Sequence, residues 1–363
     1  MSSPSASPEP QPVAAASGSQ LLGEIRQQPA ALLRLLEHRH EFEAVARRMR
    51  DQGPGAIRLV GHGSSDNAAS YGVYAFGLLP GWTALRDSIS LSVYYGAELD
   101  LSRSSVVALS QSGRTPDVVE YARKARRQGG LTVALTNDPN SALAEACELV
   151  LPLGAGVEQA VAATKTYTTQ VAALALLAGC AAGRAPVVAD GIRRTAELLS
   201  EALPDLEARV AEPALALASV GRMFVIGRGP EFATAREISL KLLETCRVAA
   251  EPLTATDLAH GPVAALDGLF PVWAIASDDA SLDAVREAAE RVLKAEVTLI
   301  ASGTAADRIP GAAHVLQVPK PPIGLLAPLL SVVPGQLFAR ALAQAKGLDP
   351  DRPAGLSKVT LAL

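Results

Sequence analysis

Cysteine, aromatic residues and an excess of positive charge are all scarce in this chain of 363 residues. The three cysteines, Cys147, Cys180 and Cys246, lie far apart without metal-ligand spacing, which argues against a disulfide framework and is typical of a reducing compartment. Aromatic side chains make up only 4% of the residues, which favours helices packed on sheets. Because the net charge is −4, a basic face for nucleic acid is not expected. We expect a cytoplasmic protein without nucleic-acid partners.

Long apolar runs and metal-binding motifs are lacking as well. The most apolar runs, 171–182 and 323–333, are too short to span a bilayer, and the second contains Pro328, so no membrane partner is expected. The five histidines show no His-Glu-x-x-His pattern, and we expect no protein-bound metal and no cofactor. Residues 1–18 are rich in Ser, Pro and Ala and do not follow a signal-peptide pattern, which predicts a disordered tail.

Apolar residues are abundant, at 49% of the chain, and they alternate between strand-like runs and helical spacing. This alternation predicts an α/β fold in which a parallel sheet is covered by helices on both faces. In the first half, strands are predicted at 56–60, 82–85, 105–109, 131–136 and 149–153. Helices are predicted at 20–50, 64–79, 116–128, 141–146 and 159–182.

The same landmarks recur at one offset. Val60-Gly61-His62-Gly63 aligns with Ile226-Gly227-Arg228-Gly229 at a shift of 166 residues, and Gln170 aligns with Gln336 at the same shift. We therefore predict two copies of one α/β unit. The expected division is a tail (1–18), a first domain with N-terminal helices (19–190), a linker helix (191–212), a second domain (213–348) and a C-terminal tail (349–363).

Two segments of the first copy carry glycine and hydroxyl residues directly after a strand. Gly61-His62-Gly63-Ser64-Ser65 has Asp66 where a dinucleotide fingerprint needs glycine, so we reject an NAD site and expect a turn that approaches a small polar ligand. Ser110-Gln111-Ser112-Gly113-Arg114-Thr115 precedes Pro116, which fits the first position of a helix. Hydroxyls and free N–H groups at that position predict a cradle for one phosphate monoester, with ordinary helix capping as the alternative.

Later segments supply charged candidates. Lys241 and Glu244 are spaced i, i+3 and share one face of a helix. His260 ends a loop, and Lys358 lies in a C-terminal segment with apolar neighbours. Taken singly, each has a simpler interpretation as a surface ion pair, a loop histidine or a solvated lysine. The second copy has Ser277-Asp278-Asp279 in place of the hydroxyl cradle, so only the first copy is expected to bind phosphate.

Together these segments resemble the sugar isomerase (SIS) domain family. More narrowly, they resemble the isomerase half of glucosamine-6-phosphate synthase and the SIS-type glucosamine-6-phosphate deaminases. The resemblance covers about residues 20–363 and implies two tandem SIS domains, each a parallel sheet flanked by helices in a flavodoxin-like three-layer sandwich. The matching pieces are Gly63-Ser64-Ser65, Ser110-Gln111-Ser112-Gly113, Val161-Ala162-Ala163-Thr164-Lys165, Lys241-x-x-Glu244, His260-Gly261-Pro262 and Leu356-Ser357-Lys358.

The resemblance also implies roles for single residues. The sugar phosphate is expected on five residues of the first domain, with Ser64 and Val161 nearby: Ser65, Ser110, Gln111, Ser112 and Thr115. Glu244 matches the proton-transfer carboxylate, Lys241 an auxiliary lysine, and Lys358 the lysine that forms an imine with the open-chain ketose. His260 matches a ring-opening histidine that is donated by a neighbouring subunit, so we expect a homodimer with shared active sites.

The implied activity is the deamination of glucosamine 6-phosphate. The sugar opens, a proton moves between carbons 2 and 1, and the imine hydrolyses to fructose 6-phosphate and ammonia. Ser2 stands where the synthase has its glutaminase nucleophile, so we expect no glutaminase domain and a deaminating direction. The alternatives are a related amino-sugar phosphate as substrate, a fructosyl-amine 6-phosphate deglycase, and a non-catalytic sugar-phosphate sensor.

Overall fold

The computed structural model describes residues 18–53 and 55–358. Apart from Gly18, the predicted disordered tail lies outside the described residues, as does the end of the C-terminal tail, 359–363. Asp351 joins the two ends of the described chain, because its carboxylate accepts the N–H groups of Gly18, Gln20 and Leu21 at 3.0, 3.2 and 2.8 Å. The C-terminal segment is therefore packed against the start of the first helix.

Three helices precede the first sheet, where the sequence predicts one helical stretch. They are α1 (Ser19–Arg26), α2 (Gln28–Glu37) and α3 (Arg39–Gln52). The first break has a local cause: Pro29 lies at the start of α2, and its missing N–H cannot continue the hydrogen bonds of α1.

The first sheet contains five parallel strands in the order β2-β1-β3-β4-β5. The strands are β1 (Ala56–Val60), β2 (Ala84–Arg86), β3 (Ser104–Leu109), β4 (Leu131–Thr136) and β5 (Leu149–Pro152). The helices are α4 (Ser64–Leu78), α5 (Ile89–Val93), α6 (Pro116–Arg127), α7 (Ala142–Ala146) and α8 (Lys165–Ala181). Alternate strand residues face α6 and α7 on one side and α4 and α8 on the other.

One predicted helix is wrong in its first six residues. The sequence predicts a helix at 159–182, but α8 begins only at Lys165. Three of the preceding N–H groups donate to buried carboxylates: Glu24 accepts from Gln159 and Ala160, and Glu158 accepts from Thr164. Hydrogen bonds to these carboxylates therefore replace those of a helix.

The second half repeats the arrangement. Its sheet has the order β10-β9-β8-β6-β7, which is the order of the first sheet once equivalent strands are matched. Both follow the flavodoxin-like order 2-1-3-4-5, so the predicted pair of parallel α/β sandwiches is confirmed. The strands are β6 (Arg222–Gly227), β7 (Ala249–Thr254), β8 (Val272–Ile275), β9 (Leu299–Gly303) and β10 (His314–Gln317). The helices are α9 (Ala185–Arg209), α10 (Ala211–Ala216), α11 (Glu231–Cys246), α12 (Ala255–Ala259), α13 (Leu282–Leu293) and α14 (Pro328–Ala345).

Buried helices join the two sheets into one apolar core. One cluster of apolar side chains runs from Leu21 in α1 to Ala343 in α14 and includes residues of both sheets. Helix α9 crosses residue 190, where the sequence predicts the end of the first domain. Within the described residues, the segment Gly324–Ala345 alone has the length and apolar composition to cross a membrane, and 83% of its most apolar window is buried inside the fold. This segment is longer than the 323–333 run seen in the sequence, and its burial is typical of a core helix.

Candidate active site at the carboxyl end of the first sheet

The strand order reverses beside β1, and a crevice at the carboxyl ends of β1 and β3 is the usual ligand position in such sheets. The turn from β1 to α4 passes close to β3: a Cβ atom on Gly61 would lie 2.9 Å from Ser65 Cβ and 3.0 Å from the carbonyl oxygen of Leu109. Glycine is therefore required at position 61. Ser65 is buried, and its hydroxyl accepts a hydrogen bond from Gln170 Nε2 at 2.9 Å. Among the residues that the structure describes, no acceptor binds the Ser65 hydroxyl proton, which leaves it for a ligand.

The predicted phosphate cradle lies beside this turn. Ser110 Oγ accepts the Gly113 N–H at 3.1 Å and lies 3.0 Å from Thr115 Oγ1. Thr115 is the N-cap residue of α6, yet its side chain makes no capping hydrogen bond. The alternative of ordinary capping is therefore disfavoured for Thr115. Ser112 Oγ accepts the Arg114 N–H at 3.3 Å, so the hydroxyls of the cradle belong to one short loop.

Two further contacts hold the 110–115 loop in place. The carbonyl oxygen of Gln111 accepts the N–H of Asn137 at 3.1 Å, which fixes the loop to the end of β4. Gly113 has a φ of +63°, and a Cβ atom at this position would lie 1.9 Å from Ser141 Oγ. Only glycine fits there without displacing α7.

The equivalent loop of the second copy has different contacts. Ser277 donates its hydroxyl proton to the buried carboxylate of Glu231 at 2.6 Å. Asp278 forms ion pairs with Arg308 and Lys320. Here carboxylates and their own cations take the place of the hydroxyl cluster of the first copy.

Charged side chains of α11 reach the first-domain turn from the second domain. Lys241 Nζ lies 2.6 Å from Glu244 Oε2, 3.3 Å from Glu237 Oε1 and 3.3 Å from Ser64 Oγ. The spacing of Lys241 and Glu244 thus places both side chains in direct contact. Burial opposes the charge of Lys241, but Glu237 and Glu244 raise its pKa above the ordinary value. Lys241 is therefore a buried ammonium group between two carboxylates.

Glu237 is missing from the residues selected by sequence. Its side chain is fully buried, and its carboxylate accepts hydrogen bonds from Ser64 Oγ and Asn67 Nδ2, both at 2.9 Å. Burial raises the pKa of Glu237, while Lys241 and Asn67 act in the opposite direction. The signal that was available is the i, i+4 spacing of Glu237 and Lys241 on α11.

Lys358 of the C-terminal segment contacts a second buried carboxylate, that of Glu158. Its Nζ donates to Glu158 Oε2 at 2.8 Å and to the carbonyl oxygen of Ala160 at 2.7 Å. Burial opposes the charge of Glu158, but Lys358 and the hydrogen bonds from Thr166 and Thr164 hold its pKa below the ordinary range. The half-buried Val161 belongs to the same segment. Glu158 also contributes to the raised pKa of Lys241, so the two charged clusters lie within electrostatic reach.

His260 is the one predicted catalytic residue without a described contact to these clusters. It is exposed at the end of α12, and its backbone N–H donates to the carbonyl oxygen of Asp257 at 3.0 Å. Its contribution from a neighbouring subunit stays a prediction. Among residues 18–53 and 55–358, no group of three or more His, Cys, Asp or Glu side chains is arranged to hold a metal ion.

Comparison with known proteins identifies relatives of this arrangement. The chain is 34% identical over 351 residues to the glutamine–fructose-6-phosphate aminotransferase (isomerizing) of Aeropyrum pernix; the match covers 93% of this chain and 56% of the relative, so the chain spans little more than half of that protein. A solved protein from Silicibacter pomeroyi, provisionally assigned as a phosphosugar isomerase, is 34% identical with a TM-score of 0.82, covering 92% of this chain and 99% of that one.

A second solved structure is the C-terminal domain of glucosamine-fructose-6-phosphate aminotransferase from Francisella tularensis. It is 25% identical with a TM-score of 0.84, and the match covers 93% of this chain and 99% of that domain. The family model described as SIS domain matches residues 53–179 and 216–345, one range for each sheet. The chain therefore belongs to the SIS domain family and carries two SIS domains.

Proposed function

We propose that this chain is a glucosamine-6-phosphate deaminase of the isomerising type, which releases ammonia and fructose 6-phosphate. The observation that carries the proposal is the contact of Lys241 with both Glu244 and Ser64, which brings a charged acid–base pair of α11 to the turn beside the hydroxyl cradle. The names of the relatives, which combine fructose 6-phosphate with an isomerising amino transfer, support a sugar 6-phosphate with nitrogen at carbon 2.

In this proposal the phosphate binds at the start of α6. The hydroxyls of Ser110, Ser112 and Thr115 surround that helix end, and the loop backbone adds N–H donors. Phosphate bound there benefits from the positive end of the helix dipole. Ser65 and Gln111 complete the set of expected phosphate contacts, and Val161 lines the neighbouring segment.

Glu244 carries the proton between carbons 2 and 1. Its side chain is 23% exposed, whereas Glu237 beside it is fully buried, so Glu244 is the carboxylate of this cluster that a ligand can reach. A single base that reaches both carbons can remove and return the proton. The Lys241 ammonium stabilises the negative charge that develops on the sugar oxygen during this transfer.

Lys358 acts at carbon 2 after the proton transfer. Its amine attacks the substrate imine, ammonia leaves, and water then hydrolyses the enzyme-bound imine to the free ketose and the free lysine. The ammonium proton of Lys358 passes to the nitrogen of the substrate imine, which frees the amine for attack, while Glu158 Oε2 at 2.8 Å orients the lysine side chain. His260 of a neighbouring subunit opens the sugar ring in a homodimer with shared sites.

Incubation of the purified chain with glucosamine 6-phosphate tests the proposal. We expect ammonia and fructose 6-phosphate in equal amounts, and Glu244→Gln should lower the rate by about 10²–10⁴-fold, as is typical when a general base is removed. Glu290→Gln, an exposed carboxylate of α13, is the matched control and should keep full activity.

The products distinguish the alternatives. Glucosamine 6-phosphate would be the wrong substrate if it released no ammonia while another amino-sugar phosphate or a fructosyl-amine 6-phosphate did. The reaction class would then still hold. Interconversion of fructose 6-phosphate and glucose 6-phosphate without ammonia release would identify a plain isomerase. Sugar-phosphate binding without turnover of any of these compounds would identify a sensor and contradict the proposal.

A further inference from the structure

The phosphate cradle holds few cations of its own. Within 110–115 the only charged side chain is Arg114, which is 66% exposed and lies 3.8 Å from Asp138. A sugar phosphate carries close to two negative charges, and phosphate binding is strongest when the donors are charged. The loop itself therefore contributes no buried positive group that balances its ligand.

A buried carboxylate makes this imbalance larger. Asp117 lies in the first turn of α6, two residues after Thr115, and only 4% of its side chain is exposed. Its Oδ1 accepts the Val118 N–H at 2.9 Å, and its Oδ2 accepts from Tyr94 at 3.4 Å. A carboxylate is favourable at a helix start in the free protein, but it repels a phosphate bound at the same helix end.

His62 is in contact with Asp117 and follows the strand that neighbours β3. The parallel register pairs Val60 with Ala108, and extending it by two residues brings His62 level with Ser110. The Nε2 atom of His62 is 2.6 Å from Asp117 Oδ2, while 55% of the His62 side chain is exposed. Among the described residues Nδ1 has no hydrogen-bond partner, so it is open to a ligand from the crevice.

The hydrogen-bonding chemistry then determines the protonation state in the bound complex. An ionised carboxylate only accepts hydrogen bonds, so Nε2 carries a proton that it donates to Asp117. A phosphate oxygen also accepts, so Nδ1 must carry the second proton to bind it. A ring that bridges the Asp117 carboxylate and a phosphate oxygen therefore needs a proton on each of its two nitrogens.

We propose that His62 is a phosphate-binding residue of this chain: its imidazolium ring donates Nε2–H to Asp117 and Nδ1–H to the phosphate of the ligand held by the 110–115 loop. The ring supplies the missing positive charge and shields the ligand from the Asp117 carboxylate. This inference rests on the sugar-phosphate site of the proposed function and adds a residue for which the matching family motifs give no role.

Calorimetric titration with fructose 6-phosphate, inorganic phosphate and unphosphorylated fructose tests the inference without requiring turnover. His62→Gln should weaken binding of both phosphate ligands about tenfold or more, because a charge-assisted hydrogen bond is lost. The double variant His62→Gln with Asp117→Asn should recover several-fold of the affinity, since the repelling carboxylate is gone. His40→Gln is the matched control: this exposed histidine of α3 lies 3.4 Å from Glu43, and its loss should leave binding unchanged.

The possible outcomes separate this inference from the proposed function. Fructose 6-phosphate affinity within twofold of wild type in His62→Gln would overturn the role of His62 and leave the deaminase untouched. If the wild-type chain binds fructose 6-phosphate but releases no ammonia from glucosamine 6-phosphate, the proposed deaminase activity is wrong and the role of His62 is unaffected. A double variant no tighter than His62→Gln would overturn the shielding of Asp117. Thermal denaturation of each variant checks that the fold is retained.

Discussion

Replacement of Glu158 by glutamine probes the contact that ties the C-terminal segment to the body of the protein. The carboxylate is fully buried and accepts from Thr164 N at 2.9 Å, Thr166 N at 3.1 Å, Thr166 Oγ1 at 2.6 Å and Lys358 Nζ at 2.8 Å. Glutamine keeps one oxygen for the two N–H groups. Its amide nitrogen then faces the Thr166 hydroxyl and the Lys358 ammonium, which both donated to the carboxylate. The hydroxyl can rotate and accept a hydrogen bond from the amide, but the ammonium has no lone pair and cannot accept one.

The expected loss of stability follows from the number of hydrogen bonds that glutamine cannot replace. One hydrogen bond between charged groups is lost, which amounts to about 1.5–3 kcal/mol. This is less than the cost of orphaning a fully buried ion, because the Lys358 side chain is 24% exposed and can turn to water. With an unfolding entropy of about 2.1 cal/mol/K per residue, the melting temperature should fall by roughly 2–4 °C.

Thermal denaturation across pH provides the assay. Because the folded pKa of Glu158 lies below its ordinary value of 4.5, the stabilisation is present above pH 4.5 and is lost as the pH falls through the folded pKa. The melting temperatures of wild type and Glu158→Gln should therefore differ at neutral pH and converge in acid. Glu148→Gln is the control, since Glu148 pairs with Arg48 on the surface at 3.3 Å and should contribute little. Equal melting temperatures for the two variants at pH 7 would refute the reasoning.

Three further predictions address the cradle, the lysine and the assembly. Gly113→Ala should lower the free energy of unfolding by about 2–4 kcal/mol and abolish phosphate binding, because φ is +63° and the new Cβ would lie 1.9 Å from Ser141 Oγ. The control is Gly129→Ala, where φ is +84° and, among the described residues, no atom beyond its own chain neighbours lies within 4 Å of the new Cβ. Chemical denaturation of this control should show the effect of the backbone conformation alone. Lys358→Met should retain phosphate binding but lose turnover, and borohydride with fructose 6-phosphate should trap an adduct on the wild type only; a fully active variant would exclude any role in the reaction. Mixing Glu244→Gln and His260→Ala chains should restore part of the activity through hybrid sites, and inactive hybrids of proven mixed composition would mean that the site is built within one chain.

The elements that sequence predicts well are those with strong local signals. Strand β4 is correct at both ends, and Pro116 begins α6 as its fixed φ predicts, because buried β-branched runs and helix starts are properties of adjacent residues. The repeat is equally accessible, since one shift of 166 residues relates the turns after β1 and β6. The fold class and the hydroxyl loop follow from such local patterns.

The parts that sequence missed depend on long-range pairing of buried charge. Glu158 lies 200 residues from Lys358, and 159–164 continues the apolar composition of α8, so its non-helical backbone has no local signal. In the sequence His62 is one polar residue in a glycine-rich turn, and no local pattern indicates that its ring lies 2.6 Å from Asp117. For Glu237 the i, i+4 spacing from Lys241 indicates a shared helix face, but no local pattern shows its partners Ser64 and Asn67, which belong to the other domain.

The contact of α11 with α4 has a consequence for how the molecule melts. Glu237 binds Ser64 and Asn67, Arg236 pairs with Asp66 at 2.8 Å, and one apolar cluster underlies both sheets. Separation of the halves would break these contacts and expose the shared apolar cluster to water. We therefore expect no stable intermediate with one half folded, and a scanning calorimeter should record a single heat-absorption peak. A ligand that binds only the folded state then stabilises the whole cooperative unit. Fructose 6-phosphate bound at the first sheet should therefore also protect the amides of β9 and β10 from hydrogen exchange.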